Sequence, residues 1–129
     1  MALTLTTPMR DAIADAVDAT INGGGGAGYL EFQTSGDAEV ATITFEATAF
    51  GASNTGVITM AGAPKSDTNA NAGTMAKFKI YDNGAPGTLL ITGTVGSGTG
   101  DIDFPGGLLI GAGDTVTLTS FTITCPTGP

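Results

Sequence analysis

Apolar residues at Met9, Ile13, Ala16, Val17 and Ile21 fall near one stripe at the 3.6-residue spacing of a helix. Arg10, Asp11, Asp15 and Asp18 sit off that stripe, on what reads as a solvated side. Thr7 followed by Pro8 predicts a cap and a first helical turn, and Asn22-Gly23 predicts the stop, with Gly23 left-handed. The spacing therefore predicts a helix over 7–22 and a glycine joint over 23–28. The stripe has two readings: it packs on the chain's own sheet, or it docks on a partner. Met9, Ile13, Val17 and Ile21 are its contact candidates.

Beyond residue 28 the period changes to two. Segments 29–34, 40–47, 56–60, 75–81, 88–95, 102–104, 108–110 and 115–124 read as strands between Gly-, Asn- and Asp-rich turns. Asn83-Gly84 is a turn signal. In 75–81, Ala76, Phe78 and Ile80 point one way and Lys77 and Lys79 the other. Those lysines read as solvated charges that could meet an acidic partner or protect a strand edge. In 115–124 the parity changes: Val116 and Leu118 belong to one face, Phe121 and Ile123 to the other. A bulge near Thr119-Ser120 would restore one core face; otherwise one pair faces the sandwich interior and the other the helix or a neighbour. Segment 61–74 has almost no large apolar side chain and reads as a long exposed loop. The fold class expected is mainly β: an antiparallel β-sandwich, jelly-roll-like, with one N-terminal α-helix. Residues 1–28 form the helix and joint and 29–129 the sandwich, in one folding unit.

Composition sharpens this. Of 129 residues, 21 are Gly and 22 are Thr, which suits turns and the solvated faces of strands. With 41% hydrophobic residues the chain is too apolar for a disordered segment. There is no His, so imidazole catalysis and the commonest zinc ligand are excluded. The single Cys125 reads as a free thiol or, alternatively, one half of an intersubunit disulfide. Twelve acids against four bases give a net charge of −8, which argues against nucleic acid and anionic membranes as partners. The N-terminus lacks the basic and apolar regions of a signal peptide, so a soluble, cytoplasmically made protein is expected.

Catalytic motifs fail one by one. Lys65-Ser66 follows Pro64 and makes no P-loop. Residues 96–100 carry glycines, but without the dinucleotide-binding spacing or a following helix. No G-x-S-x-G elbow occurs. Asp101 and Asp103 share one side of an extended segment after free glycines, a weak Ca²⁺ candidate that Asp82 or Asp114 could complete only if the fold brought them close. Otherwise neither a cofactor nor an enzymatic activity is expected.

The stretches MRDAIADAVDATINGGGGAGYLEFQT, ATITFEATAFG, AKFKIYDNGAPGTLLITGTVG and GDTVTLTSFTIT, in that order, resemble small structural proteins of tailed bacteriophages. The resemblance spans about residues 3–124 and rests on helix, glycine joint and Thr-rich β domain, not on a catalytic signature. It implies a virion protein of the head decoration or cement type. Its partners would be the major capsid protein or other virion proteins, and it would assemble as a homo-oligomer, a trimer at local threefold axes. A tail, neck or tail-tip component is the alternative within the particle. A glycan-binding adhesin using loop 61–74 is the alternative outside the resemblance.

Overall fold

A computed structural model describes residues 3–23, 26–83 and 87–127. The middle of the expected glycine joint and Gly84 of the expected Asn83-Gly84 turn lie outside the described residues. Among the described residues, one helix, α1 (Thr7–Ile21), precedes eleven strands: β1 (Tyr29–Gln33), β2 (Glu39–Thr44), β3 (Val57–Thr59), β4 (Lys65–Asp67), β5 (Gly73–Thr74), β6 (Lys77–Tyr81), β7 (Leu89–Gly96), β8 (Ile102–Asp103), β9 (Leu109–Ile110), β10 (Val116–Leu118) and β11 (Thr122–Thr124). The protein is mainly β with a single helix, and its pairings are antiparallel except β7 with β8.

The main sheet runs β2-β1-β6-β7-β8. Its pleat sends Leu30, Phe32, Ala41, Ile43, Phe78 and Ile80 to one face, where all are buried. Three two-stranded ribbons complete the β structure: β3 with β11, β4 with β10, and β5 with β9. Their Ile58, Val116 and Leu118 join the same hydrophobic cluster as the sheet. Phenylalanine binds the layers together. Phe45, Phe50, Phe121 and Phe78 form a chain of ring contacts with centroids 5.6, 6.0 and 5.9 Å apart. Phe32 meets Phe104 edge-on at 5.3 Å.

Four local expectations change. The helix is capped at Thr6, not Thr7, without a side-chain hydrogen bond, and Gly23 is not left-handed. Segment 61–74 is not one open loop: it supplies β4 and β5 and buries Ala70. The terminal strand is neither bulged nor continuous. It breaks after Leu118, and its halves pair with different partners, so Val116 and Leu118 are buried and Phe121 and Ile123, partly buried, pack against the same core. Finally, β6 lies between β1 and β7, so Lys77 and Lys79 cannot guard an edge.

Candidate functional site

The helix is anchored by its polar side. Asp11, Asp15, Asp18 and Asn22 follow one another at helical spacing and face the segment 49–56. That segment makes only isolated bridges to Met60 and Val57, with the Gly51 and Asn54 N–H groups donating to the Thr59 and Val57 carbonyls at 2.9 Å. Four other N–H groups donate to the helix: Gly56 to Asp11 Oδ1 at 2.6 Å, Ser53 to Asp15 Oδ1 at 3.0 Å, Phe50 to Asp18 Oδ1 at 3.0 Å and Ala49 to Asn22 Oδ1 at 3.0 Å. Arg10 extends the clasp by donating Nε and Nη2 to the Cys125 carbonyl at 3.1 and 3.0 Å. The Cys125 N–H in turn donates to the Gly56 carbonyl at 2.7 Å. Thr55 and Gly56, at φ 52° and 79°, form the two-residue turn between Asn54 and Val57. Glycine suits this position, whereas the β-branched Thr55 is strained there.

The acids are therefore not a solvated side, as the sequence suggested. The acids are the docking face, and the apolar stripe divides. Ile21 is fully buried and Val17 partly so, while Met9 and Ile13 remain 52% and 38% exposed. Between this stripe and β7 runs an open apolar groove of about 310 Å³, lined by Ile13, Ala16, Val17, Thr20, Ile21, Leu90 and Ile91. No lining residue is ionisable. Leu89, 48% exposed, continues the apolar surface along β7. Sequence periodicity identified the helical half of this groove. The β7 half was read only as a strand, because which strand neighbours a helix is a long-range property.

The bases are all engaged internally. Lys77 and Lys79 both pair with Asp37, the latter at 3.4 Å, and Lys65 pairs with Glu46 at 2.9 Å. Hydrogen bonds from Lys77 and then Lys79 hold the Asp37 carboxyl below its usual range. These contacts tie a turn onto the sheet's outer face and leave the two lysines less available to an acidic partner. On the same face, Tyr29 and Tyr81 stack at 4.9 Å, and burial raises the Tyr29 phenol pKa. Gln33, opposite Lys77 at the other end of β1, is buried; its Nε2 donates to Glu31 at 2.6 Å, and its Oε1 has no hydrogen-bond partner among the described residues.

Asp101 and Asp103 line a second, polar groove of about 440 Å³ with Thr117, Thr119, Ser120 and Thr122. Both carboxylates are already used locally. Asp101 Oδ2 accepts from the Thr94 N–H and hydroxyl at 2.9 and 3.1 Å. Asp103 Oδ1 accepts from the N–H groups of Gly98 and Gly100 at 3.0 and 2.8 Å. Asp82 and Asp114 do not line this groove; they accept from Thr88 and Gly111 elsewhere. Among the described residues no three His, Cys, Asp or Glu side chains gather where they could hold a metal. Cys125 is a buried free thiol, which disfavours the intersubunit disulfide.

The Asp101 contacts predict a pH effect. The Thr94 N–H and hydroxyl depress the Asp101 pKa, so folding favours the charged carboxylate. That stability is present above the unfolded aspartate value of about 3.9 and is lost as pH falls through the lower folded value. Melting temperature should therefore fall below about pH 4, and Asp101→Asn should fall less steeply there. Parallel acid limbs for the two proteins would refute the assignment.

No helix among the described residues is long and apolar enough to cross a membrane. Comparison with known protein families, curated proteins and solved structures finds no match to this chain.

Proposed function

We propose that the protein is a structural virion protein of a tailed phage, of the head decoration or cement type. It binds across capsomers as a homo-oligomer, with the major capsid protein as its partner. The five-stranded sheet and the ribbons serve as two leaves of a jelly-roll-like sandwich. The observation that carries this reading is the uncharged α1/β7 groove with exposed Met9, Ile13 and Leu89. A contiguous apolar surface on an otherwise acidic chain is a place for another protein. The clasp of α1 on segment 49–56 keeps that surface presented. The phage setting comes from the sequence resemblance alone.

Quantitative mass spectrometry of purified particles tests it. The protein is expected in DNA-filled heads at a copy number comparable to that of the major capsid protein. A copy number fit for a single ring would move it to the tail, neck or tail tip. Absence from particles would end the virion reading.

A glycan-binding module is the second reading, favoured by the polar groove beside Phe104 and Phe121, where hydroxyls of Thr117, Thr119 and Thr122 adjoin two carboxylates. Carboxylate and hydroxyl acceptors are what sugar hydroxyls require. No bound cation is needed for that recognition.

A further inference from the structure

Two of the chain's four bases stand on one face of β6, and most of the acids around them are engaged elsewhere. Lys77 and Lys79 share a side of the strand, opposite Gln33 and Glu31 of β1. Glu31 accepts from Gln33, Glu39 from Thr42 Oγ1 and Asn71 Nδ2, and Asp101 from Thr94. Among the described residues only Asp37 pairs with the two lysines, and its Oδ1 serves both ammonium groups. Two positive charges thus share one carboxylate oxygen, on a side chain that is 62% exposed.

The turn that carries Asp37 joins β1 to β2, and its residues 35–38 are exposed. The Asp37 N–H donates to the Thr34 carbonyl at 3.1 Å, and the Ala38 N–H to Thr34 Oγ1 at 3.2 Å. Asp37 takes a left-handed φ of 70°, uncommon for a residue with a side chain. The closed turn also strands an acceptor. Gln33, which leads into it, is 3% exposed, and its Oε1 has no partner among the described residues. Rotating the amide does not mend this, because Nε2 donates to Glu31 and an ionised carboxylate only accepts. A buried acceptor without a donor is a standing cost. Opening the turn relieves it: water reaches Gln33, and the Lys77 ammonium, opposite it in the ladder, is released from Asp37.

We infer that the Lys77–Lys79 pair is a binding site for the carboxylates of an acidic protein segment, and that Asp37 occupies it until such a segment arrives. Asp37 itself shows the chemistry that fits, a carboxylate oxygen shared by both ammonium groups. A single free carboxylate displaces it poorly, because a short tether gives Asp37 an effective concentration of about millimolar. A segment with adjacent acids meets the pair differently. It gives each lysine its own carboxylate, which Asp37 cannot do, and so wins by valence. Elsewhere the chain has little to offer such a segment. It carries −8, and its other two bases are held by the Cys125 carbonyl and by Glu46. The site lies apart from the α1/β7 groove and does not require the virion assignment.

Titration of the folded protein with a blocked triaspartate peptide, followed by backbone amide NMR shifts, tests the site. Wild type should bind in the millimolar range and Asp37→Asn about tenfold more tightly, with shifts at 31–33 and 77–79. Asparagine tolerates the left-handed φ at 37, and so does glycine, so Asp37→Gly should match it. Adding Lys77→Gln and Lys79→Gln to Asp37→Asn should abolish binding. In wild type the Asp37 and Ala38 amides should exchange faster with deuterium as peptide is added, because the turn opens. Melting temperature confirms that each variant folds. The inference is overturned if neither Asp37 variant binds more tightly than wild type, or if binding survives the loss of both lysines. Inorganic phosphate binding as tightly as the peptide also overturns it, since the pair would then attract any anion. Absence from phage heads would change none of these constants, so the two readings fail separately.

Discussion

Gly28→Ala is expected to destabilise the protein by about 2–3 kcal/mol, read as a lower urea midpoint with unchanged slope. Gly28 is buried where the chain leaves the helix region and enters β1. A Cβ there would stand 2.7 Å from the Tyr81 carbonyl oxygen, 2.8 Å from Ile21 Cγ2 and 2.9 Å from the Ile21 carbonyl oxygen. Two of these are backbone atoms, so relief requires moving the end of β6 or the last turn of α1. Neither moves alone. Ile21 is fully buried, and the Gly28 carbonyl accepts from the Phe45 N–H at 3.0 Å. Gly98→Ala is the control, because a Cβ there meets nothing within 4 Å. It should change stability by less than about 0.5 kcal/mol. Equal midpoints for the two variants would show that the helix and sheet are not in close contact at Gly28.

Gly28 also shows what the sequence could and could not reveal. Its place in a glycine run suggested a flexible joint. The run's last member is instead fixed by a close approach between elements far apart in the chain. Local period was legible throughout. Alternation in 75–81 located β6 and its buried Phe78 and Ile80, and the 3.6 spacing located α1. Pairing was not legible, because hydrogen-bond partners across tens of residues leave no period. Thus 61–74, poor in large apolar residues, still supplies β4 and β5 because Val116, Leu118 and their neighbours need a ladder partner. The parity change in 115–124 was visible, but its resolution, a break between two ribbons, depended on β3 and β4 being within reach. For the candidate groove, the helix stripe was legible and its exposure was not. Asp11, Asp15 and Asp18 look like a solvated face until the Phe50, Ser53 and Gly56 N–H groups are seen to donate to them.

Asp18→Ala should cost about 2 kcal/mol, more than any other single loss from the helix clasp. Asp18 Oδ1 accepts from both the Phe50 N–H and Asn22 Nδ2, each at 3.0 Å. Phe50 is 1% exposed and sits between Phe45 and Phe121 in the aromatic chain. Alanine at 18 leaves that N–H without its acceptor at the margin of the core, where water replaces it poorly. Asp18→Asn retains an oxygen acceptor without the charge and should lose roughly half as much. Asp15→Ala removes only the exposed bond to Ser53 and should lose less than about 1 kcal/mol. Chemical denaturation of the three variants gives the order directly. If Asp15→Ala costs as much as Asp18→Ala, burial at Phe50 does not set the strength of the clasp.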